Sequence, residues 1–112
     1  MNEHVELVKK HRRMDRIVVE RLRANPALME IPRQNLERWM KKEKEEFGYT
    51  DRWWRFWKEI IDKAPFEDVL LILESDDPSF EQLQHCSPFA GILTHEEVMA
   101  ICKDKDDQAV AA

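Results

Sequence analysis

Five prolines, Pro26, Pro32, Pro65, Pro78 and Pro88, set the tightest limit on how this chain can fold. A proline lacks a backbone N–H and holds φ near about −65°, so it suits the first turn of a helix and disrupts a helix interior or a central strand. Between the prolines the apolar residues recur at helical spacing, and sustained period-two alternation is missing. The expectation is an all-α fold, a compact single-domain bundle of about five to six helices over residues 1–103, followed by a flexible tail over 104–112.

The segments follow from their start and stop signals. A first helix is expected from Asn2 to Ala24, then a short helical turn at Pro26 to Glu30. A second long helix is expected from Pro32 to about Glu46, stopped by Gly48, with Ile31 as a break or a kink. Thr50 reads as the cap of a third helix that ends near Lys63, and Pro65 opens a fourth that ends at Glu74 with Glu67 and Asp68 in its first turn. A short helix follows Pro78. The last begins at Thr94, where Thr-His-Glu-Glu forms a capping box with Glu97, and is expected to end near Lys103.

Composition narrows the function classes. With 43% hydrophobic residues and four tryptophans, 112 residues can build one core without metal or disulfide staples. Cys86 and Cys102 are too few to staple the chain, and the charged start from Glu3 onward reads as no signal peptide, so a cytoplasmic protein is expected. The longest apolar run, Val69 to Leu73, is far short of the roughly 20 residues a membrane span needs. The net charge of −5 conceals a split: residues 1–45 hold 12 Lys/Arg against 8 Asp/Glu, and residues 46–112 hold 6 against 15. Such a split suits one basic face on an acidic body, or an acidic surface that meets a basic partner.

Each helical face has a functional and a structural reading. On the first helix Leu7, Val8, Met14, Val18, Val19 and Leu22 share one side, while Lys9, Arg12, Arg13, Arg16 and Arg23 gather on another. That cationic face is either a set of phosphate contacts for nucleic acid or a solvated surface. The second helix carries Leu36, Trp39, Met40 and Phe47 at ordinary core spacing. On the third, Trp53, Trp54, Phe56, Trp57, Ile60 and Ile61 cover an arc of about 160°, wide for a small domain to bury. Trp53 and, at the edges, Trp54 and Phe56 are candidate anchors for a protein partner, with core packing as the alternative. Val69 to Leu73 place apolar side chains all around the fourth helix, which must then be central to the bundle or be completed by another chain, a homodimer included.

No catalytic arrangement is legible: neither a nucleophile with its base nor zinc-ligand spacing is present, and adjacent His85 and Cys86 point apart. No enzyme, no metal and no cofactor are expected. His11 reads as a partly buried structural histidine, and Asp76-Asp77 and Glu96-Glu97 as helix-start acids.

Ser87-Pro88-Phe89-Ala90-Gly91, with Leu93, Thr94 and Glu97 downstream, is the most distinctive stretch. Together with Leu22-Arg23-Ala24-Asn25-Pro26-Ala27-Leu28, Leu36-Glu37-Arg38-Trp39 and the tryptophan-rich third helix, it resembles a family of short bacterial proteins encoded beside nucleotidyltransferase-type toxins. The resemblance covers most of residues 15–100. It implies a non-enzymatic, antitoxin-like protein that binds and restrains a cognate partner, a basic toxin among the candidates, with Phe89 in the partner-binding set. The chain departs from the family at Gln84, His85 and Cys86, where arginine and serine are usual, and at Pro32, where the family's helix runs straight through. From the residues alone, Ser87–Gly91 also reads as a structural corner, with Pro88 fixing the backbone and Phe89 plugging the core. Binding a nucleic acid through the first helix is the second choice.

Overall fold

A computed structural model describes the backbone of residues 2–111 and the side chains of residues 8–103. Among the described residues the chain is all helix and turn, with no strands, and it forms a compact bundle of six helices. They are α1 (Asn2–Ala24), α2 (Glu30–Phe47), α3 (Arg52–Lys63), α4 (Phe66–Glu74), α5 (Glu81–His85) and α6 (His95–Ala111). Single 3-10 turns at Pro26–Met29 and Pro78–Phe80 lead into α2 and α5. None of the described helices is long and apolar enough to cross a membrane.

Helix starts are set by proline and by carboxylate caps, with local shifts from the expected positions. The turn at Pro26–Met29 runs directly into α2, so Pro32 sits in the first turn of a continuous helix and there is no break at Ile31. A proline there deletes an N–H that has no partner within the helix in any case. The cap of α3 is Asp51, not Thr50: its carboxylate accepts the Trp53 N–H at 2.8 Å. Asp77 caps the turn after it in the same way, through the Ser79 N–H at 2.9 Å. The expected Thr94–Glu97 capping box is formed, with Glu97 accepting the Thr94 N–H at 2.9 Å and Thr94 Oγ1 accepting the Glu97 N–H at 3.1 Å. Its helix runs past the expected end at Lys103 to Ala111; the side chains of the expected tail, 104–112, lie outside the described residues.

The core gathers one stripe from every helix: Val18, Val19 and Leu22 of α1, Leu36 of α2, Trp57 and Ile61 of α3, Val69, Leu70 and Leu73 of α4, Leu83 of α5 and Ile101 of α6. α1 packs against α4 and α6, and α3 packs against both α2 and α4. In α4 the apolar run is divided, with Val69, Leu70 and Leu73 buried and Ile72 half-buried. Leu71 remains 61% exposed, so one side of this helix is not covered by the chain itself.

Between α5 and α6, Ser87–Gly91 is a corner held by polar contacts from two helices, with Pro88 and Phe89 buried and Ala90 and Gly91 exposed. The Asn35 amide, itself buried, donates to the carbonyls of Pro88 at 2.9 Å and Ala90 at 2.8 Å. Phe89 stands edge-on to Trp57 with ring centroids 5.4 Å apart, and the Trp57 indole N–H donates to the Leu83 carbonyl at 2.8 Å. Arg21 completes the corner by donating to the Ile92 carbonyl at 3.1 Å and by pairing with Glu97. That guanidinium, with the Thr94 N–H, holds the Glu97 carboxyl down to about 2.

Candidate protein-interaction surface

The end of the bundle where α2 turns into α3 exposes more aromatic surface than the rest of the described chain. Its backbone is fixed by a left-handed glycine, Gly48 (φ 79°), whose N–H donates to the Lys44 carbonyl at 2.8 Å and closes α2. Glu43 reaches across the connection and accepts the Asp51 N–H, and Asp51 in turn caps α3. Two carboxylates thus tie down the turn, and the residues between them project outward. Phe47 is 62% exposed and Tyr49 65%, with ring centroids 6.1 Å apart.

On α3 the wide apolar arc divides into a buried centre and exposed edges. Trp57 and Ile61 are sealed in the core, while Phe56 is 50% exposed. Trp53 is half-buried, meets Phe56 edge-on at 5.6 Å, and carries the Arg52 guanidinium over its ring at 5.0 Å. Trp54 is half-buried on the opposite edge and packs against Trp39 of α2 at 5.4 Å. Of the four aromatic candidates, Phe56 is thus exposed, Trp53 and Trp54 are half-covered by neighbours, and Phe89 is not offered to a partner at all. At 5% exposure Phe89 is a core plug, because Trp57 and the Asn35-held corner enclose it.

Phe47 departs from expectation in the other direction. Helical spacing assigned it to the core stripe with Leu36, Trp39 and Met40, yet it lies at the last turn of α2, beyond the reach of α3. Tyr49, alone in the Gly-Tyr-Thr connection, carried no periodic signal at all.

Beside the aromatic pair an open groove of about 690 Å³ runs between the end of α2 and the start of α3. Its rim carries Lys41, Lys44 and Arg55, and its floor includes Met40, Gly48 and Tyr49.

The cationic face of α1 is distributed differently from its appearance on a helical wheel. Lys9, Arg12, Arg16 and Arg23 are exposed and Arg13 is half-buried. Arg23 pairs with Glu67 at 3.2 Å and Glu74 at 3.9 Å, and Arg12 with Asp76 at 3.5 Å. The groove of about 420 Å³ at this face is of mixed sign, with Arg12, Arg16 and Arg23 facing Glu20, Glu74 and Asp76. The acidic residues on and just after α4 thus lie against the chain's own basic helix.

Near the middle of α1, the rings of His11 and His85 meet at a tilt with centroids 4.9 Å apart; burial, then the neighbouring His85, holds the His11 imidazole below its ordinary value. One turn along, Asp15 is 9% exposed, and burial pushes its carboxyl up to about 7. Among the described residues no group of three or more His, Cys, Asp or Glu is placed to hold a metal ion. Cys86 and Cys102 are free thiols, and Cys86 Sγ accepts from the Gln82 amide at 3.3 Å.

No known protein family, no curated protein and no solved structure matches the chain.

Proposed function

We propose that the protein is a non-enzymatic binding module, antitoxin-like in its mode of action, that covers a cognate protein partner with the α2–α3 end of its bundle. The observation that carries this reading is the half or greater exposure of Phe47, Tyr49 and Phe56 within one short stretch, on a helix turn and cap rigidly tied by Glu43 and Asp51. Large aromatic side chains on a fixed backbone lose little conformational freedom on association and supply most of the affinity of an interface. Occlusion of the partner's working surface is then sufficient for restraint.

The ion pairs of α1 favour this reading over nucleic-acid binding. Arg12 and Arg23 already face carboxylates, which leaves Lys9, Arg13 and Arg16 as a short cationic set. Three carboxylates of the acidic half, Glu67, Glu74 and Asp76, are engaged with α1 and contribute less to steering a basic partner.

Tagged chain co-expressed with the product of the adjacent gene tests the reading. A complex of fixed stoichiometry that is lost on Phe56→Ser, with the helical signal of the free chain unchanged, is the expected result. A chain that captures nothing, alongside duplex DNA binding that weakens steeply with salt and vanishes on R12E/R16E, would instead support the nucleic-acid alternative.

A further inference from the structure

We infer that the groove between the end of α2 and the start of α3 receives an acidic peptide segment of the partner, an apolar side chain seated on its floor and flanking carboxylates on its rim; this rests on the protein-binding reading above. Glu43 and Asp51 are turned onto backbone N–H groups of the connection, and Glu59, one turn beyond Arg55, pairs with Lys63 at 2.9 Å. Lys41, Lys44 and Arg55 are left on the rim with no ion pair to any described residue, and no carboxylate lines the groove. Unpaired cations around an apolar floor are complementary to carboxylates around an apolar side chain. Met40 gives the floor an adaptable surface and Tyr49 gives it a flat one.

Length separates a peptide from a polynucleotide. The cations gather at one groove: Glu45 lies one helical turn after Lys41, and Glu37, one turn before it, lines a separate groove with Lys58 of α3. A phosphate backbone carries charge at every nucleotide and needs a continuous track, whereas three cations around one groove match a short acidic segment.

The test is a fluorescence-anisotropy titration of the full chain with a labelled short peptide in which leucine is flanked by aspartate and glutamate. The comparison probes are the same peptide with lysine flanks and an oligothymidylate. Saturable binding of the acidic peptide alone is expected, weakened by salt, reduced about tenfold by Lys44→Glu or Arg55→Glu, and retained by Lys44→Arg. Equal binding of both peptides, no effect of charge reversal at these exposed positions, or displacement of the peptide by the oligothymidylate overturns the proposal. A chain that dimerises through this groove, with the dimer dispersed by Lys44→Glu, overturns it as well. If a partner complex survives Lys44→Glu and Arg55→Glu but is lost on Phe56→Ser, the protein-binding reading stands and the acidic-segment proposal falls.

Discussion

Asn35 is the side chain on which the Ser87–Gly91 corner depends most. Its amide satisfies two carbonyls at once, and its own Oδ1 accepts from the Arg38 guanidinium at 2.6 Å. Removing it leaves the buried Pro88 carbonyl and the part-buried Ala90 carbonyl without their donor, so Asn35→Ala is expected to lower stability by about 2–4 kcal/mol in a urea melt, well above an exposed substitution such as Gln34→Ala. Asp15 gives the pH dependence. Its folded value of about 7 lies above the ordinary carboxylate range, so its contribution to stability is full below about pH 4 and is lost as pH rises through 7. The depressed His11 value acts in the opposite sense, its contribution being present at neutral pH and lost on acidification below its ordinary range. Asp15→Asn is therefore expected to remove the decline between pH 4 and 7 and to leave the protein more stable at pH 8 by about 2–4 kcal/mol, as read from thermal melts across pH. Neither residue could be picked out in the sequence. Asn35 is one polar letter in a polar helix face and Asp15 one acid among arginines; only the packing of distant elements gives them their roles.

Helix existence was legible and helix boundaries less so. Pro26 and the capping box at Thr94–Glu97 acted where they were expected, because both work through the backbone of their own turn. Thr94→Ala is expected to cost about 1 kcal/mol by removing the oxygen that receives the Glu97 N–H. The start of α2 moved because a 3-10 turn can pass into an α-helix through Pro32, a continuity that a proline-based boundary misses. The cap of α3 moved by one residue because Asp51 and Thr50 are both competent caps and the contact from Glu43 selects between them. Gly48 fixes the exit of α2 in the left-handed region, so Gly48→Ala is expected to cost about 1 kcal/mol even though a Cβ would meet nothing nearby. Strain at Gly48 is expected to shift the neighbouring Tyr49 in the same variant, and partner affinity to fall with it. Phe47 shows the limit of periodicity: its spacing is that of a core residue, but the stripe outruns the helix that covers it.

For the whole bundle, the question is how much apolar surface a chain of this size can hide. It hides much of it: Trp57 and three of the five residues from Val69 to Leu73 are buried. Of the large apolar side chains it leaves out, Phe47, Tyr49 and Phe56 lie near the α2–α3 end, with Leu71 on α4 and Met99 on α6. The excess of aromatic helix surface could be read from the wide arc of α3, and the location of the excess could not, since it depends on which edge Trp39 covers. The charge split read from the sequence was likewise real in number but changed in meaning once Glu67, Glu74 and Asp76 were found facing α1. Oxidative footprinting of the chain, alone and in its partner complex, tests the central claim most directly. Phe47, Tyr49 and Phe56 are expected to label readily in the free chain and to be protected together in the complex. Unchanged labelling of all three, with protection instead along the Lys9–Arg23 face of α1, would contradict the account.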